Sequence, residues 1–213
     1  MKTSIAYLLG FTLLSTLFAT SLHAAALRGN NEHARKWNKF ADDVLALHNK
    51  LVEQKKTTVK RRLGGYFQNE NFYKEEAYYD AANNKLISRV QWEREQPDNL
   101  HIIEVFIRDD QGRVTRDYIA AYLPNYRNAP TQTLVSLHAY NGKLHAFRSF
   151  DATSDLILER CTGKLHGREV NLLLDEDEIY EALEGDSDVM EQTEYKACFK
   201  GMPNKVGKYL TPQ

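Results

Sequence analysis

The sequence predicts an α+β fold: one N-terminal amphipathic helix packed on a curved antiparallel β-meander of seven or eight strands, with a closed barrel or two-layer sandwich as the alternatives. Three observations predict it. Apolar residues recur at helical spacing over residues 31–57. Short runs of alternating character follow from residue 72 onward. Asn, Asp, Gly and Pro separate those runs, as turns require.

Ahead of the helix, Lys2, an apolar run over residues 5–18 and the small residues Ala24, Ala25 and Ala26 have the layout of a secretory signal peptide. That run is short for a membrane span, and no later run is long enough to cross a bilayer as a helix. The expected organisation is a signal peptide over residues 1–25, a single α+β domain over 26–203 and a mobile tail over 204–213. Periplasmic or secreted residence follows from the leader. Export makes the only two cysteines, Cys161 and Cys198, a predicted disulfide. Closing that loop stabilises the fold by up to about 4 kcal/mol in the chain-entropy model.

Lys and Arg number 28 against 29 Asp and Glu, so bulk charge supplies no argument for a nucleic-acid partner. The charge is unevenly placed. Lys55, Lys56, Lys60, Arg61 and Arg62 cluster early, and residues 175–188 are rich in acid. In the helix, Trp37, Phe40, Ala41, Val44, Leu47, His48, Leu51 and Val52 form one apolar stripe suited to docking on a sheet. Asn30 or Asn31 can cap its start. Gly64 and Gly65 are expected to break the helical run after its basic end.

Three hairpins follow. The first joins residues 72–80 to 85–94, with Tyr79 sharing a face with Leu86 and Glu76 opposite Arg89. The second joins residues 100–108 to 113–123 around Gly112, with Ile103 opposite Ile119 and Val105 opposite Asp117. The third turns at Asn141-Gly142, the strongest short-range hairpin signal in the chain. A two-residue turn there sets His138 opposite His145. It puts Val135, Leu137, Ala139, Leu144, Ala146 and Phe150 on one face, with Arg148 as the charged exception. Residues 156–165 and 168–174 read as two more strands around His166-Gly167. Residues 175–183 read as a short helix and 189–199 as a last strand.

Candidate chemistry is sparse. His138 and His145, predicted with Cα atoms about 5.5 Å apart, could share a zinc or copper ion if Glu104, His101 or His166 supplied a third ligand. Asp117 and Arg148 could neutralise one another on the apolar face. Arg116, Tyr118, Tyr122, Ser136, His138 and Tyr140 form a candidate binding surface for a sugar, anion or peptide, extended by the loop residues Tyr126, Arg127 and Asn128. No nucleophile elbow, phosphate-cradling loop or His-Glu-x-x-His motif occurs, and no cofactor is predicted.

The favoured expectation is an exported, non-catalytic binding or scaffolding domain of the bacterial cell envelope. Its partner would be a small molecule, a glycan or an envelope protein. A small metal-dependent hydrolase using His138 and His145 is the first alternative. The second is an envelope-associated protein in weak contact with anionic lipid through Lys60, Arg61 and Arg62.

Overall fold

The computed structural model describes residues 32–65, 71–124 and 130–213. The leader assigned to residues 1–25, and Tyr126, Arg127 and Asn128, lie outside them. The chain forms helix α1 (Glu32–Gln54) and strands β1 (Thr57–Gly64), β2 (Tyr73–Asp80), β3 (Leu86–Glu93), β4 (Leu100–Arg108) and β5 (Val114–Tyr122). Strands β6 (Pro130–Asn141), β7 (Lys143–Phe150), β8 (Leu156–Leu165) and β9 (Arg168–Asp175) follow, then helices α2 (Glu176–Glu184) and α3 (Thr193–Cys198). All nine strands pair antiparallel with their sequence neighbours in one open sheet, β1 and β9 being its edges. Among the described residues the expected seven or eight strands are therefore nine.

The additional strand is β1. Its basic residues, read from sequence as a continuation of the helix end, sit on a sheet edge where Arg61 and Arg62 meet Glu76 and Glu75 across the ladder at 2.8 and 2.7 Å. Charged side chains on an edge strand discourage a further chain from adding to it.

Helix α1 buries Phe40, Ala41, Val44, Leu47 and His48, as its spacing predicts. The four apolar ones pack on Val90, Ile103, Val105, Tyr118, Ala120, Val135 and Phe150 from the middle strands, and His48 meets the Ser88 hydroxyl at 2.8 Å. Burying an apolar side chain of this kind contributes roughly 1.5–3 kcal/mol. Helices α2 and α3 cover β7 to β9 on the same face, around Leu144, Ala146, Cys161, Val170 and Ile179. Asp175 caps α2 through a capping box with Glu178. Cys161 and Cys198 are joined as predicted, tying α3 to the sheet.

Two C-terminal expectations change. The segment read as a last strand is a 3-10 turn (Val189–Glu191) followed by α3. Beyond Pro203, where a tail was expected, Val206 is buried in the main core and Tyr209 packs beside it.

Register decides which residues share a face. Of the eight ladders, five carry a shift or irregularity, and bulges bend strands and add twist. The shift at Tyr78/Tyr79 puts Glu76 opposite Val90 rather than Arg89. Another at Ile107/Arg108 sets Ile103 opposite Ala120 and Phe106 opposite Asp117. That is a slip of one residue from the expected pairing, and a slip of one exchanges the faces.

At the third hairpin Asn141 faces Leu144, so Gly142 and Lys143 make the turn, with Gly142 at φ 64°. A glycine of positive φ in the first central position is the type II′ arrangement. His138 now opposes Phe147, and His145 opposes Tyr140. The pairing has moved by two residues, so both faces keep the composition predicted for them.

Candidate functional site

The helices occupy one face of the sheet. The other, here the far face, carries the candidate site. Successive strands bring Glu75, Gln91, Glu104, Asp117, Ser136, His138, Tyr140, His145 and Ser149 to it by alternation. Glu75, Gln91, Asp117, Ser136 and Ser149 are buried there. Burying polar groups is costly unless they are paired, and most of these atoms are, the side-chain oxygen of Gln91 being the exception. Glu75 accepts from Arg62 and from Gln91 at 2.8 Å. Arg89 reaches Glu104 at 3.4 Å, and the hydroxyls of Ser136 and Ser149 meet at 3.0 Å.

At the centre of this row three side chains run in line across β5, β6 and β7. Asp117 Oδ2 lies 2.5 Å from His138 Nε2, and His138 Nδ1 lies 2.9 Å from His145 Nε2. Each link is a diagonal across its ladder, because Ser136 directly opposes Asp117 and Phe147 directly opposes His138. The Tyr140 ring stacks on His145 with centroids 4.6 Å apart. Tyr140 is itself held by its hydroxyl, which donates to the Val114 carbonyl at 3.0 Å, and by the Arg113 guanidinium over its ring.

The electrostatics follow from burial. Desolvation, with the neighbouring Asp117 charge adding to it against Arg89, raises the Glu104 carboxyl above the ordinary glutamate value. Desolvation and then His138 lower His145, outweighing Asp117, so its neutral ring is favoured.

The sequence-predicted surface divides between the two faces. Ser136, His138 and Tyr140 are on the far face. Arg116, Tyr118 and Tyr122 face the helices, where Tyr118 is fully buried against Phe40. The one-residue slip between β4 and β5 is the cause. It also separates the expected Asp117–Arg148 pair, since Asp117 joins His138 on the far face. Arg148 donates to Glu159 at 2.5 Å on the helix face.

His138 and His145 do come together, but as hydrogen-bonded partners. Among the described residues no group of three His, Cys, Asp or Glu is placed to hold a metal ion. His101 packs its ring against Phe72 and Tyr73, and His166 sits in the β8–β9 turn at φ 48°; neither adds a ligand.

Sequence reasoning missed the buried Glu159, the roles of Glu75 and Gln91, and the contact of Asp117 with His138. Only the bulge between β4 and β5 hid that last contact. A separate cavity of about 480 Å³ opens at the hairpin ends beside Leu51, Lys55, Asp80 and Phe106. Its Lys85 and Arg108 are already committed to the carbonyls of Gly112 and Leu86.

No family model, curated protein or solved structure matches the chain.

Proposed function

We propose that this chain is an exported binding domain of the cell envelope that takes its ligand on the far face of the sheet. One observation carries the reading: a row of buried and half-buried polar side chains, hydrogen-bonded to one another, on the face away from the apolar core. A fold needs its apolar face covered; it gains little from ordering Asp117, His138 and His145 in line on the opposite one. The Cys161–Cys198 disulfide suits an oxidising compartment, in keeping with the leader expected from the sequence.

Lipid contact through Lys60, Arg61 and Arg62 draws less support, because both arginines are paired with glutamates. The test is amide NMR of the mature protein titrated with neutral monosaccharides, simple phenols, inorganic phosphate and acidic dipeptides. Binding on this reading moves amides of β5, β6 and β7 that flank far-face side chains. A panel that leaves them still, or that moves only residues on the helix side, would overturn it. Export is checked separately by the mass of the protein recovered from the periplasm, which should lack its first residues.

A further inference from the structure

We infer that Asp117, His138 and His145 form a directed hydrogen-bond chain whose free end, Nδ1 of His145, accepts the hydroxyl of a neutral ring-shaped ligand. This deepens the far-face reading and rests on it. Direction comes from the acid. A carboxylate can only accept, so the proton between Asp117 and His138 belongs to His138 Nε2. A His138 ring that carries only that one proton presents a lone pair at Nδ1. The 2.9 Å contact with His145 therefore requires the proton on His145 Nε2. His145 in turn is left with a lone pair on Nδ1, and no described residue donates to that atom.

The surroundings choose the ligand class. An unprotonated Nδ1 with Asp117 at the other end of its chain has no proton to offer the oxygens of a carboxylate. A hydroxyl fits, because it donates to Nδ1 and needs no countercharge. The neighbouring rings favour something flat. Tyr140 stacks on His145, Phe147 lies 5.4 Å from the His138 ring, and Phe106 opposes Asp117. Towards β8, His145 opposes Thr162, and the next far-face side chains, Arg160 and Lys164, are exposed. His145 therefore borders the more open side of the sheet. Asp117 and His138 are positioning residues here; His145 makes the contact.

The test uses the mature protein labelled with nitrogen-15 in histidine. At mildly alkaline pH both rings should show pyrrole-type Nε2 and pyridine-type Nδ1. His145 protonated on Nδ1 would overturn the inference, since the chain would then run the other way. Two hydroxyl probes follow, phenol and methyl β-glucoside, which distinguish an aromatic from a sugar source. The expected result is a shift of the His145 Nδ1 resonance with one of them and no shift with phosphate.

In His138→Phe, whose fold is checked by its amide spectrum, His145 should lose its fixed tautomer and the responding probe should bind about tenfold more weakly. Equal affinity in that variant counts against the chain. Amide shifts elsewhere on the far face with His145 unmoved would sink this inference and spare the binding reading. Probes that move no far-face residue would sink both.

Discussion

Two polar clusters, one buried and one half-buried, occupy opposite faces of the same sheet, and they differ in how they end. On the helix face, Arg148 donates to Glu159, to the hydroxyl of Tyr195 and to the carbonyls of Met202 and Pro203, while stacking on Phe199. Tyr195 in turn donates to Glu159. That network closes on itself and joins the sheet to the C-terminal segment. On the far face the Asp117–His138–His145 chain is equally ordered but stops at an acceptor that no described residue uses. A closed network organises a fold, whereas an open one is a place for something else to bind.

The sharpest way to break this contrast is Glu159→Ala. Glu159 is 1 % exposed, and its loss strands the Arg148 guanidinium in the interior. Removing one member of a buried pair costs about 3–5 kcal/mol, so urea unfolding should show a loss of that size. A change below about 1 kcal/mol would mean that water reaches Arg148 and that the network is not closed. Next comes the disulfide: Cys161→Ser with Cys198→Ser should cost about 2–4 kcal/mol. Its effect should centre on α3 in hydrogen exchange and leave the far-face histidine resonances unmoved.

How far the sequence revealed these clusters depends on the distance over which each signal acts. The stripe on α1 and the faces of the β6–β7 hairpin are local, and both were readable. The face assignment survived a mistaken turn because a two-residue shift conserves alternation. Arg148 stood out as a charge on an apolar face, but Glu159 did not, because it lies on the next strand and only the sheet brings the two together. The bulge at Ile107/Arg108 left no sequence mark beyond Gly112, yet it sent Asp117 to the other face. In β1 the signal was present in Thr57, Thr58 and Val59 but was obscured by the basic residues that follow. Helix α3 is six residues long, too short for periodicity to separate it from a strand.

On the far face, substitution should alter chemistry more than stability. Asp117→Asn keeps the size of the side chain and removes a buried charge, so thermal unfolding should change by less than about 1 kcal/mol. The histidine tautomers should nevertheless become mixed, since an amide can either donate or accept. A loss as large as that of Glu159→Ala would show that the far-face chain serves the fold after all.

The smallest effect concerns Glu104, and its sign is informative. Its carboxyl is raised in the folded protein, by burial first and by the Asp117 charge as well. The folded state therefore holds this proton more tightly than the unfolded chain does. That contribution to stability is fully present below the ordinary glutamate value of 4.5 and is lost as pH rises through the folded value. Glu104→Gln removes the titration and with it the loss. Thermal unfolding from pH 4 to 7 should show the variant gaining on the parent as pH rises, by under about 1 kcal/mol since Arg89 loses a partner. Parallel curves would mean that Arg89 fully compensates the Glu104 charge.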